Sequence, residues 1–149
     1  MLVTGAASGI GKAVAQRFAS EGAHVIVSDV SEDSGRNVVE ELDADGFAAS
    51  FRHVDVTSAD SVSNLIASVT TEFGRIDCTV NNAGISGPSG TLAADVGESD
   101  WDSVMAINLK GIWLSMKYKL PVMTTQGVGS IVDMSSVSCL VGSKAAGVA

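Results

Sequence analysis

The residues best suited to chemistry stand near the start of the chain. Thr4-Gly5-Ala6-Ala7-Ser8-Gly9-Ile10-Gly11 separates a short apolar run from a helical pattern. Its glycines are spaced G-x-x-x-G-x-G, a pattern that suits a phosphate-binding turn. Gly5 permits a sharp exit from a strand, Gly9 lets the backbone approach a pyrophosphate, and Gly11 lets a helix pack close to a sheet. Ser8 and Ile10 complete the turn, and the helix that follows offers free N–H groups and the positive end of its dipole to an anion. A plain strand-to-helix turn leaves three glycines and a serine at one junction unexplained. A P-loop fails on spacing, because Gly11-Lys12 would require Gly at position 6 and Ser or Thr at position 13, where the chain has Ala6 and Ala13.

Asp29 lies eighteen residues beyond Gly11, at the end of the next apolar run. A carboxylate there can accept both hydroxyls of an adenosine ribose and repels a 2′-phosphate. Neither Ala7 nor Val30 supplies a basic side chain to offset that repulsion. The expected cofactor is therefore NAD and not NADP; the alternative is an aspartate that only caps the strand end. His24 and His53 lie in strand-like runs without a second ligand at zinc spacing, so no metal site is expected. Cys78 and Cys139 form no C-x-x-C pair and read as free thiols.

The elements that must position these residues follow from periodicity. Leu2-Val3 reads as a strand stub, and Ile10, Val14, Phe18 and Ala19 recur at helical spacing until Gly22. His24 to Asp29 is a buried strand. Ser31 is the expected N-cap of a helix bearing Val38, Val39 and Leu42, and Asp45-Gly46 is a turn. Phe47 to Val54 is a third strand. Thr57 and Asp60 read as a capping box opening a helix with Val62, Leu65, Ile66, Val69 and Phe73 on one face. Ile76 to Val80 is a fourth strand, and Gly84 to Gly90 a loop. Ser99 and Asp102 read as a second capping box around Trp101, Val104 and Met105. A long helix from about Asn108 to Gln126 follows, bent or shortened at Pro121. Ser130 to Met134 is a fifth strand. This regular alternation predicts an α/β fold, a parallel sheet with helices on both faces.

Composition sets the outer limits. A chain of 149 residues, 46% hydrophobic and 17% charged, is one globular domain's worth of protein. A net charge of −8 argues against nucleic acid and against an anionic membrane surface. No apolar run approaches the roughly 18 residues of a membrane span. The first residues enter the fold without a charged n-region or an h-region, so a cytoplasmic protein is expected.

On these residues the chain resembles the short-chain dehydrogenases/reductases along essentially its whole length. The T-G-x3-G-x-G turn is one match. Asp55-Val56 matches the family's pair beside the adenine ring. Asn81-Asn82-Ala83-Gly84 looks like its N-N-A-G motif, which supports the central strand and lines the ribose side of the cofactor. Asn108-Leu109-Lys110-Gly111 looks like its N-x-x-G segment, and Ser135-Ser136 like its catalytic serine segment, with Ser136 the closer match. The resemblance implies a Rossmann-like doubly wound sheet of about five strands in the order 3-2-1-4-5. It implies cofactor binding by Gly5, Ser8, Gly9, Ile10, Gly11 and Asp29, together with Asp55, Val56, Asn82, Ala83 and Gly84. It implies a catalytic Asn108 that carries a water into a proton relay and a Ser136 that bonds the substrate oxygen. The implied activity is hydride transfer between NAD(H) and a secondary alcohol or ketone. A homodimer or homotetramer using the helix from about Asn108 is also implied.

The chain departs from that pattern where the family has Y-x-x-x-K. The resemblance places this motif at or just past Ala149, so residues 1–149 are expected to be the NAD-binding N-terminal part of a longer enzyme. A natural truncation, an excised domain and a partial gene all fit. Tyr118 lacks a lysine four positions on and reads as a helix-surface or interface residue, and Lys144 as a loop residue. Asp133 stands where the family commonly has Asn, and Cys139 where it has a small residue. A fifth strand left at the sheet edge is expected to promote self-association. For residues 1–149 alone, a non-catalytic NAD-binding module is the competing reading.

Overall fold

Side chains that alternate along the first two strands divide the interior into two cores, one on each face of a single sheet. The computed structural model describes residues 1–137 and Leu140, so Cys139 and Lys144 lie outside the described residues. Strand β1 (Leu2–Thr4) lies between β2 (Val25–Asp29) and β4 (Cys78–Asn81); β3 (Ala49–His53) and β5 (Ser130–Asp133) form the two edges. All pairings are parallel, and the order β3-β2-β1-β4-β5 is the expected one. Leu2 pairs with Ile26, and both pack beneath α3 (Ala59–Phe73) and α5 (Gly111–Gln126) with Leu65, Ile66 and Leu114. Val3 pairs with Val27, and both pack beneath α1 (Gly9–Ser20) and α2 (Glu32–Ala44) with Ala15, Val38 and Leu42. Full burial of each large aliphatic side chain contributes roughly 1.5–3 kcal/mol, so the two layers carry most of the stability. No described helix is long and apolar enough to cross a membrane.

Several boundaries shift for physical reasons. The third strand starts at Ala49 and not at Phe47, because Phe47 N–H closes α2 by donating to Leu42 O at 2.9 Å. The fourth starts at Cys78, because Ile76 bonds the Gln126 side chain through both its N–H (2.8 Å) and its carbonyl (3.0 Å) instead of a strand. Neither capping box forms as expected. Ser58, not Thr57, caps α3, its hydroxyl accepting from Ser61 N–H at 3.2 Å. Thr57 bonds Asp55 Oδ1 instead. Helix α4 (Glu98–Val104) starts after Gly97, placing Ser99 inside its first turn. Ser31 does flank α2, but its hydroxyl donates to Ser34 and caps no backbone group.

The largest revision lies between residues 98 and 126. The chain there is one helical run in which a π-helical segment, Met105–Lys110, joins α4 to α5. Asn108 falls inside that segment. Pro121 does not shorten the run, which continues to Gln126, with Thr125 Oγ1 donating to the Pro121 carbonyl at 2.9 Å. Tyr118 is half-buried, packing against the core beneath α3 and α5 while part of it stays at the surface.

Candidate functional site

The carboxyl ends of β1, β2 and β4 open into a cleft of about 690 Å³. Its walls include Gly5, Ser8, Gly9 and Ile10 of the glycine turn, Asp29 and Val30 after β2, Asp55 and Val56 after β3, and Asn82, Ala83 and Gly84 after β4. Ten of the eleven residues expected to hold a cofactor thus line one cavity. The eleventh, Gly11, is buried behind it. Such a position, outside the carboxyl ends of a parallel sheet where the strand order reverses, is where open α/β sheets bind ligands.

Gly11 acts one layer back. A Cβ there would sit 2.1 Å from Gly5 O and 2.5 Å from Asn82 Nδ2, so only glycine lets α1 approach the turn that closely. Gly9 has φ +53° and open space where a Cβ would go. Its glycine character keeps the turn's backbone bare on the cleft side, at the N-terminus of α1. The turn is braced from β4. Asn82 Nδ2 donates to Thr4 O and Gly5 O at 3.2 and 3.1 Å, and Thr4 Oγ1 accepts from Asn82 N–H and Ala83 N–H at 3.1 and 3.3 Å. The Thr4 hydroxyl was not singled out from the sequence, although it belongs to the motif. Its role depends on β1 and β4 being neighbours, and no local pattern carries that.

Asp29 is held by both oxygens: Ala7 N–H donates to Oδ2 and Ser31 N–H to Oδ1, each at 3.0 Å. Each carboxylate oxygen has a second lone pair, so a fixed, charged group remains able to accept hydroxyls at the cleft mouth. None of the described residues lining the cleft is basic. Lys12 and Arg36, on the adjoining helices, are paired with Glu41 and Glu32 at 2.6 Å each. Among the described residues, no three His, Cys, Asp or Glu side chains gather as a metal-holding group.

Asn108 and Ser136 do not line the cleft. The Asn108 side chain lies beside it, donating to Ile85 O at 2.8 Å and accepting from Ile85 N–H at 2.9 Å, and so ties the π-helical segment to the loop after β4. Ser136 follows β5 by three residues at the same end of the sheet and is exposed.

A polar chain runs beneath the cleft. Lys119 is fully buried and donates to Asn81 Oδ1 at 2.5 Å; Asn81 Nδ2 donates to Asp133 Oδ1 at 2.6 Å. Burial pushes the Lys119 amine down to about 7, with the nearby Asp133 carboxylate acting in the opposite direction. Lys119 was not singled out from the sequence. The available signal was its four-residue spacing from Ser115 and Met123, which are also buried.

Residues 1–148 match the family model for the short chain dehydrogenases. The chain is 42% identical over 142 residues to an uncharacterized oxidoreductase of Thermotoga maritima, a match covering 95% of this chain and 55% of that protein. It superimposes on an NAD+-bound xylitol dehydrogenase with a TM-score of 0.92 at 33% identity, covering 96% of this chain and 55% of that one. A metagenomic short-chain oxidoreductase in complex with NADP matches with a TM-score of 0.91 at 32% identity, covering 99% and 66%. The chain spans about half the length of the curated relatives it matches.

Proposed function

The chain belongs to the short chain dehydrogenase family, and on that basis we propose that residues 1–149 are the NAD-binding part of an oxidoreductase acting on a secondary alcohol or ketone. The observation that carries the reading is the cleft itself, where the bare glycine turn, the helix N-terminus and a doubly anchored Asp29 converge. A cavity of about 690 Å³ is in the size range of cofactor sites. The residues present fit a dinucleotide. The backbone of residues 8–11 would hold a pyrophosphate through the free N–H groups of α1. Asp29 would accept the ribose hydroxyls, Asp55 and Val56 would border the adenine, and Asn82 to Gly84 would face the second ribose.

NAD is favoured over NADP within this proposal. Asp29 places a negative charge where a 2′-phosphate would lie, and no basic lining residue offsets it. When bound, the nicotinamide supplies the hydride acceptor or donor. The chain's own part is to hold the substrate oxygen through Ser136 and to fix the Ile85 loop through Asn108. The Asn108 side-chain amide bonds Ile85 through one N–H and one oxygen lone pair, which leaves a second of each able to bond a water. For residues 1–149 alone, binding without turnover is favoured, because the one tyrosine, Tyr118, packs against the core. Homo-oligomerisation belongs to the same proposal. Its support is the exposure of Trp101, Leu109 and Trp113 along α4, the π segment and α5, three large apolar side chains each more than half exposed.

The test uses the full-length protein containing these residues, incubated with NAD+ and cyclohexanol, borneol or xylitol and followed by nicotinamide absorbance. NAD+ reduction with at least one alcohol, abolished by Ser136→Ala, is expected. Full NAD+ reduction by the Ser136→Ala protein would remove Ser136 from the site.

A further inference from the structure

The buried residues of α5 are Gly111, Leu114, Ser115, Lys119 and Met123. Lys119 is the only charged residue among them. The bond from Lys119 to Asn81 and the bond from Asn81 to Asp133 admit one orientation of the Asn81 amide. The lysine nitrogen donates, the carboxylate only accepts, and the amide turns its oxygen to one and its nitrogen to the other. Three elements are thereby tied: α5, β4 and β5. Each adjoins a segment of the site. The strand β4 runs directly into Asn82-Ala83-Gly84, and α5 continues the π segment that holds Asn108. The strand β5 runs into Met134-Ser135-Ser136.

The tie sits at the carboxyl end of β5. Asp133 is the last residue of β5, which among the described residues ladders to β4. Directly after it, Met134 N–H donates to Asn81 O at 2.9 Å, so Asn81 grips this end of β5 through both backbone and side chain. A buried amine is also a poor choice for stability alone, since burial opposes its charge and a methionine fills a similar volume. We propose that the Lys119–Asn81–Asp133 chain is a positioning device that fixes the end of β5 and holds Ser136 at the substrate end of the cleft. The inference rests on the hydride-transfer reading of the site.

The experiment compares Lys119→Met, Asp133→Val and Asp133→Asn in the full-length protein. Turnover with the alcohol that supports NAD+ reduction, NADH affinity and amide exchange at Met134 and Val27 are measured. Lys119→Met and Asp133→Val are expected to lower kcat by about tenfold or more, since sub-ångström misplacement of a reacting group costs rates of that order. NADH affinity stays within about twofold, because the glycine turn and Asp29 are untouched. Exchange at Met134 quickens while exchange at Val27 does not. Asp133→Asn keeps an accepting oxygen and retains most of kcat. Unchanged exchange at Met134 in Lys119→Met and Asp133→Val overturns the proposal, as does unchanged kcat despite faster exchange. A wild-type protein without NAD-dependent turnover overturns the function proposed above instead, and exchange at Met134 then decides by itself whether the chain fixes β5.

Discussion

Replacing Lys119 with methionine should make stability less dependent on pH, and its effect should change sign between neutral and alkaline solution. Burial lowers the Lys119 amine from 10.5 to about 7. Between those values the unfolded chain binds a proton that the folded chain does not, so this residue makes stability rise with pH across that window. Below about pH 7 the folded protein carries the whole cost of the buried ammonium, at most about 5 kcal/mol for a shift of this size. Methionine removes that cost but leaves Asn81 Oδ1 without its donor, a loss of about 1–3 kcal/mol. The variant should therefore be more stable than wild type by roughly 2–4 kcal/mol near pH 6 and less stable by roughly 1–3 kcal/mol above about pH 10. Urea unfolding of both proteins across this range gives the difference, in which groups common to both cancel. A constant gap between the two curves would mean that folding does not shift the Lys119 pKa, and the expectation from its burial would fail.

Gly11→Ala drives a Cβ to 2.1 Å from Gly5 O, a backbone atom that cannot rotate away. It should cost about 1–3 kcal/mol in thermal unfolding and weaken NADH binding by calorimetry. Ser58→Ala should lower stability by about 1 kcal/mol, whereas Thr57→Ala should not lengthen or shorten α3, as judged by helical circular dichroism and amide exchange at Ser61. Asn108→Ala removes both bonds to the Ile85 backbone, so exchange at the Ile85 amide should quicken by about tenfold, the equivalent of one lost hydrogen bond.

Much of this architecture was legible because each strand carries its own local signal. The run from Val25 to Val27 is apolar and β-branched, and Leu2-Val3 suffices to start a central strand that buries both faces. The glycine turn was legible for the same reason: its constraints act within a few residues. Features that depend on strand order were not. The grip of Thr4 on Asn82, the clamp of Gln126 on Ile76 and the chain from Lys119 to Asp133 join residues 38 to 78 positions apart or reach across neighbouring strands. Helix starts were misread by one residue at Thr57 because two adjacent hydroxyls, those of Thr57 and Ser58, compete for one cap, and Asp55 takes the first. The π segment left no mark in the apolar spacing, since Ile107 and Leu114 remain compatible with a regular helix.

In the proposed function the cleft binds NAD, and Asp29 refuses its 2′-phosphorylated form. Titration of the protein with NADH and with NADPH, followed by nicotinamide fluorescence, tests it most directly. NADH should bind about tenfold or more tightly than NADPH, and Asp29→Ala should narrow the gap. Equal affinities in the unmodified protein, or an unchanged ratio in Asp29→Ala, would contradict the assignment.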